Sequence, residues 1–248
     1  MNPIPENGIF SLDKVQLRLD PAEHPWVVAE REAIAANWQR EEIERPWLFN
    51  GTVLLHRGLR LQDGVISGNS HRVPYAALRY MVKSRPPVDV SHLFGSAVIL
   101  TSDDAMILVR MAAKTANAGK VYAPSGSLDE SDIAGGAVDV DGSILREARE
   151  ETGLDLSGAA AESCLHGWRS GGIVAVFRRF RLPETAEALV ERTTEHIRTD
   201  PEQEITGLVV VRAPQDAGPT APPHMQAMIA FHFSAPEFNT GWQAGGTG

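Results

Sequence analysis

Two adjacent prolines, Pro86-Pro87, divide the chain into stretches of different pattern. A double proline stiffens the backbone and cannot continue a preceding helix. The seam is therefore placed there, with residues 1–87 as an N-terminal extension, 88–236 as the main domain and 237–248 as a flexible tail without a core-forming pattern. The length of 248 residues suits this division, because it exceeds the roughly 100–150 residues of a common single domain.

Before the seam, Trp26 to Arg45 is rich in Ala, Glu, Arg and Gln and predicts one helix stopped by Pro46. Trp47 to Leu61 predicts one or two strands with Asn50-Gly51 as a turn, and Trp38, Trp47, Leu48 and Phe49 suit a core or an interface. Pro74 to Ser84 predicts a helix with Tyr75, Leu78, Met81 and Val82 on one face. After the seam the pattern is strand Leu93–Thr101, turn Ser102-Asp103-Asp104, strand Met106–Met111, then a short strand Lys120–Ala123. Strands Gly172–Leu182 and Ile205–Val211 and helices Ala186–Arg198 and His224–Phe233 complete the main domain.

The most informative segment is Asp139 to Leu154, DVDGSILREAREETGL. Glu150 and Glu151 lie three and four positions after Glu147, so all three share one helical face. They sit toward the helix C-terminus, where the macrodipole disfavours anions, and Arg146 and Arg149 hardly neutralise them. A hard divalent cation is the economical compensation, since Mg²⁺ or Mn²⁺ prefers carboxylate oxygens and bridges to substrate phosphate. An arbitrary acidic run on a helix is usually only solvated surface, but Gly153 supplies a helix stop directly after this cluster.

The segment REAREETGL, Arg146 to Leu154, resembles the second half of the Nudix box, R-E-U-x-E-E-x-G-U, at every defined position, with Ala148 and Leu154 in the apolar slots. The first half departs from the pattern. Gly126 stands as its glycine and Asp132 in place of its glutamate, with about six extra residues around GGAVDV before the helix; Asp139 or Asp141 are the alternatives to Asp132. The resemblance implies an α/β fold, a Nudix-type α/β/α sandwich with a mixed sheet, preceded by the N-terminal α+β extension. It also implies hydrolysis of a nucleoside diphosphate derivative to a nucleoside monophosphate and a phosphorylated moiety. In that reading Glu147, Glu150, Glu151 and the Gly126 carbonyl hold Mg²⁺ or Mn²⁺, Arg146 orients Glu147, and a later acid, Glu204 in preference to Glu202, serves as base or extra ligand. The Trp-bearing helix, RPWLFNGTVLLHRGLRL and VPYAALRYM are further similar to the extension of the animal UDP-glucose/UDP-galactose diphosphatase branch, which implies a UDP-sugar. The interrupted box leaves a catalytically silent nucleotide-binding or regulatory relative as the alternative, and the family allows a homodimer.

The remaining features narrow the class. A net charge of −9 argues against nucleic acid or an anionic membrane as the main partner. One cysteine, Cys164, precludes an intrachain disulfide; with neither a signal-peptide pattern nor a membrane-length apolar run, a soluble cytoplasmic protein is expected. The histidines show no zinc spacing, although His56 with Arg57 and Arg60 is a candidate for reaching a base or phosphate, and Arg110 another. Ser125 and Ser127 lack a nucleophile motif and a recognisable His or Asp partner, and Gly135-Gly136 lacks phosphate-loop spacing and belongs to the inserted residues.

Overall fold

The computed structural model describes residues 4–86, 89–201, 203–234 and 242–243. Its elements, in chain order, begin with strands β1 (Phe10–Leu12) and β2 (Lys14–Leu19), helices α1 (Pro25–Ala29) and α2 (Arg31–Glu44), strands β3 (Thr52–Gln62) and β4 (Val65–Pro74), and helix α3 (Tyr75–Ser84). Strands β5 (His92–Leu100), β6 (Met106–Met111), β7 (Val121–Tyr122), β8 (Ile133–Ala134) and β9 (Ala137–Val138) lead to helix α4 (Val140–Thr152). Strands β10 (Ala160–Glu162), β11 (Leu165–Ser170) and β12 (Ile173–Arg181), helix α5 (Ala186–Thr199), strand β13 (Ile205–Val211), helix α6 (Pro223–Ser234) and strand β14 (Trp242–Gln243) follow.

The larger sheet runs β1-β11-β12-β5-β6-β13, with β7 on β6, β10 on β12 and β14 on β10. It is mixed, because β12 and β5 are parallel over Ile173↔His92 to Arg181↔Leu100 while the other pairs are antiparallel. Strand β5 is apolar almost throughout because both its faces are covered. Leu93, Ala97 and Ile99 share a core with Ile144 and Ala148 of α4 and Ala186 and Leu189 of α5. The alternate residues Phe94, Val98 and Leu100 pack with Met225, Met228 and Ile229 of α6. The period-2 alternation of one strand thus builds the two apolar layers of an α/β/α sandwich, each fully buried Leu or Ile contributing roughly 1.5–3 kcal/mol.

A second mixed sheet runs β3-β4-β2-β9-β8, and α1, α2 and α3 cover part of it through Trp26, Ile34, Trp38, Leu78 and Met81 against Val53, Leu55 and Val73. Chain segments cross the seam in both directions. Strand β1 pairs with β11 of the larger sheet, whereas the hairpin β8-β9, formed by the residues inserted between Asp132 and α4, joins β2 through Leu17↔Val138 and Arg18↔Ala137. Gly135-Gly136 is the tip of that hairpin. Pro87, Glu202 and all of 237–248 except Trp242–Gln243 lie outside the described residues.

Several expected elements differ. The single helix over Trp26–Arg45 is two helices, because Glu30 leaves helical geometry at φ −102°, ψ 14° and re-aims α2 so that Ile34 and Trp38 face the core. Strand β3 starts at Thr52; Trp47 and Phe49 remain exposed in the preceding loop rather than entering the core. Asn50-Gly51 is not a hairpin turn, since Asn50 Oδ1 accepts from Ala76 N–H at 2.9 Å and the Gly51 carbonyl from Tyr75 N–H at 2.8 Å, which fixes the start of α3. The turn that pairs β3 with β4 is Asp63-Gly64, with both residues at positive φ as a two-residue hairpin loop requires.

Candidate active site

Helix α4 begins where Asp139 Oδ1 accepts from Gly142 N–H at 2.9 Å and ends at Gly153, whose φ of 71° suits a left-handed cap. His196 of α5 bonds the Glu150 carbonyl in its last turn at 2.9 Å. The apolar stripe Val140, Ile144, Ala148 seats the helix on the sheet and carries Glu147 and Glu151 into burial at its margin, while Glu150 stays exposed.

Arg146 gathers the acids. Its guanidinium lies 3.0 Å from Asp132 Oδ1, 2.9 Å from Glu147 Oε1 and 2.8 Å from Glu150 Oε2. Of the three aspartates considered for the altered half of the box, Asp132 is the one that meets Arg146; Asp139 caps α4, and Asp141 pairs with Arg178 at 2.8 Å. Asp132 sits in a single 3₁₀ turn, Glu130–Asp132, where its second oxygen accepts from Asp129 N–H at 2.9 Å.

The glycine loop closes over the same carboxylates. A Cβ on Gly126 would collide with the Glu147 carboxyl group, so the loop backbone reaches this carboxylate only with glycine there. Ser125 gives a backbone hydrogen bond to Glu151, whose Oε2 is buried with no hydrogen-bond partner. Burial is the main reason that the Glu147 carboxyl is pushed up to about 7; Arg146 opposes this, and Glu150, Glu204 and Asp132 reinforce it. Glu151 is raised well above the ordinary range, again by burial first and then by Glu147 and Glu204. Glu204 thus stands in the field of both acids, its carbonyl held by Ala112 N–H at 2.8 Å.

Three acids, two of them buried and one with an orphaned oxygen, beside Gly126 form a donor set of hard oxygens that could hold a divalent cation. A cation would remove the mutual repulsion that raises Glu147 and Glu151.

Other candidates fall elsewhere. His56 is fully buried, with Nδ1 2.9 Å from Ser70 Oγ and both backbone groups bonded to Ser91, which makes it a core residue rather than a ligand-facing one. Arg57 pairs with exposed Asp89 at 3.6 Å, and Arg110 is exposed near the end of β6. Ser127 does have a histidine partner, His92 Nε2 at 3.2 Å, unseen in the sequence because 35 positions separate them. Burial lowers His92 to about 4, which makes it a weak base for activating a hydroxyl.

Sequence reasoning missed the residues that the extension brings toward this site. Leu54 N–H of β3 bonds the Leu128 carbonyl at 2.8 Å, and Arg72 of β4 grips Glu130 through two bonds of 2.6 and 2.8 Å, so the loop from Gly126 to Asp132 is tied to the N-terminal sheet. Tyr75 at the start of α3 stands edge-on to Trp38, with ring centroids 6.3 Å apart. No spacing rule links these positions to the box; only the pairing of β3 with β4 and of Leu54 with Leu128 does so.

No family model matches the chain, and no curated protein matches it in sequence. Among solved structures, it is similar to a MutT protein from Methanosarcina mazei Go1 at 15% identity and a TM-score of 0.38, over 58% of this chain and 94% of the other. It is similar to a NUDIX hydrolase from Nitrosomonas europaea at 21% identity and 0.35, over 58% and 90%. It is also similar to a bifunctional NMN adenylyltransferase/ADP ribose pyrophosphatase from Francisella tularensis, solved with AMP and a Mn ion, at 12% identity and 0.42, over 64% and 46%.

Proposed function

We propose that the protein is a Nudix-type pyrophosphohydrolase that uses Mg²⁺ or Mn²⁺ to cleave the diphosphate linkage of a nucleoside diphosphate derivative, in particular a UDP-sugar. The observation that carries this reading is the convergence of Asp132, Glu147 and Glu150 on Arg146 beside Gly126, with Glu151 buried next to them.

In this mechanism Glu147, Glu150, Glu151 and the Gly126 carbonyl would hold the cation, which would supply charge neutralisation for the diphosphate and a lowered pKa for the attacking water. Arg146 holds Glu147 and Glu150 in register, and Asp132 holds Arg146. Glu204 accepts the proton of the attacking water. The water oxygen bonds to phosphorus, the bridging P–O bond breaks, and the departing phosphate takes the electron pair, giving a nucleoside monophosphate and a phosphorylated moiety. The interrupted box that motivates a silent relative is offset by Asp132, which supplies a carboxylate to Arg146 despite the insertion.

No described helix is long and apolar enough to cross a membrane. The acidic surface and the lone Cys164 support a cytoplasmic enzyme without a nucleic-acid partner, and the family resemblance adds a homodimer to the proposal, which light scattering tests. The decisive assay incubates the protein with nucleoside diphosphate sugars, CoA, NADH and dinucleoside polyphosphates with Mg²⁺ or Mn²⁺. Cation-dependent release of UMP from UDP-glucose supports the reading. Tight cation-dependent binding without product from any compound refutes hydrolysis.

A further inference from the structure

Strand β12 pairs with both β10 and β11, and the two partners do not meet it in one register. Ala160 and Ala161 of β10 pair with Arg181 and Phe180, while His166 to Ser170 of β11 pair with Phe177 to Ile173. Four residues, 162–165, therefore stand opposite two, 178 and 179. An excess of this kind is a bulge, which bends the strand and re-aims its side chains. Here it gathers Glu162, Cys164 and His166, each offering a ligand atom within 4.8 Å of the other two. His166 Nε2 is 2.9 Å from Glu162 Oε2 and 3.9 Å from Cys164 Sγ.

The surroundings hold this group in place. Arg179 of β12, fully buried, donates through Nε to Glu162 Oε2 at 2.6 Å and through Nη2 to Oε1, and its Nη1 lies 3.2 Å from His232 Nδ1 of α6. His166 is 2% exposed, and its Nδ1 has no hydrogen-bond partner among the described residues, so the polar engagement of the ring is with this cluster. Glu162 and Cys164 are only partly buried, which leaves an ion a way in. The cluster lies on the α6 side of the larger sheet, where the His166 ring is 4.9 Å from that of Phe231, whereas α4 and its carboxylates cover the opposite face.

We propose that Glu162, Cys164 and His166 form a second metal site, for Zn²⁺, apart from the carboxylates of α4 and from the proposed hydrolysis. A thiolate, an imidazole and a carboxylate are zinc ligands, and the sulfur and nitrogen select against Mg²⁺. Zinc bonds of about 2.0–2.3 Å in tetrahedral array separate ligand atoms by roughly 3.4–3.6 Å, so Sγ and Nε2 close by a few tenths of an ångström and Nε2 and Oε2 open by about half an ångström. The Cys164 thiol proton leaves to solvent, and His166 binds through the Nε2 lone pair with its ring proton on Nδ1. Arg179 is a positioning residue that orients the ligating carboxylate, and the fourth position is left for water. The ion ties the bulge together between β10 and β11. Only one histidine takes part, so histidine spacing alone does not mark the site.

The test titrates the reduced full chain with Co²⁺, which occupies zinc sites and gives a sulfur-to-metal charge-transfer band in the near ultraviolet when a thiolate binds it. Because Cys164 is the one cysteine, the band reports this site and not the carboxylates of α4. Wild type and Glu147→Gln are expected to develop the band with one equivalent of Co²⁺ and to lose it to Zn²⁺. In the Glu147→Gln background, Cys164→Ala should bind Zn²⁺ about 10²-fold more weakly by calorimetry, as loss of one ligand among three implies. His166→Gln keeps the thiol but should not develop the band. The inference is overturned if wild type gives no band, if Cys164→Ala binds Zn²⁺ unchanged in that background, or if His166→Gln gives a band of wild-type strength. Should buried His166→Gln not fold, Cys164→Ala, at a partly exposed position, decides. A band in a protein that hydrolyses nothing in the substrate panel would refute the hydrolase reading alone.

Discussion

The buried Glu147 carboxyl makes the cation-free protein sensitive to pH in a way that one substitution isolates. Its folded pKa of about 7 exceeds the ordinary 4.5, so its contribution to stability is fully present below pH 4.5 and is lost as pH rises toward 7. Between pH 5 and pH 8 linkage gives a loss on the order of 2–3 kcal/mol, or about 5–10 °C in Tm for a chain of this size. Glu151 acts in the same direction. His24, His56, His92, His224 and His232 act oppositely, because burial holds each well below 6.5 and penalises folding when pH falls. The diagnostic is therefore the difference between wild type and Glu147→Gln, measured by urea unfolding in EDTA at pH 5, 6, 7 and 8. The variant should gain on the order of 2–3 kcal/mol on wild type across that range, and Mn²⁺ should stabilise wild type most at the alkaline end. A difference that stays constant with pH would refute the buried-carboxylate argument, and the absence of any Mn²⁺ effect at pH 8 would refute the assigned ligand role.

Glu150→Gln and Glu151→Gln should each lower kcat by roughly 10² or more with the active substrate; near-wild-type turnover in both would remove them from the mechanism. Gly126→Ala should displace Glu147, lowering activity at least as far and abolishing the Mn²⁺-dependent rise in Tm, because a methyl group occupies the space of the carboxyl group. Acid should unfold the protein in stages between about pH 6 and pH 4, as His24, His56, His92, His224 and His232 take up protons more readily in the unfolded chain; His56→Gln, which keeps a polar partner for Ser70, should flatten part of that profile in a circular-dichroism titration.

What the sequence disclosed follows from range. Strands β6 and β13 were legible to the residue because an apolar run between turn residues is a local signal, as were α4 with its Gly153 cap and the acids along its face. Strand β4 went unread although Asp63-Gly64 marks its hairpin, because its sequence VISGNSHRVP has little apolar alternation and buries Ser70 and His71 through polar bonds. Strand β1 is a three-residue edge piece whose partner β11 lies more than a hundred residues away, and β2, central in its sheet, pairs with β4 and β9, neither of them adjacent in sequence. For the site, spacing grouped Glu147, Glu150 and Glu151, but only tertiary contact separates Asp132 from Asp139 and Asp141.

The hairpin inserted between the glycine loop and α4 has a consequence for anyone dissecting this molecule. Because β9 is stitched to β2 and Leu54 to Leu128, scission at the double proline would strip one flank from the very turn that presents Asp132 to Arg146. The leading third of the chain is thus scaffolding for the box as well as an appendage to it, and a shortened protein beginning at residue 88 should be judged a different molecule from the one described.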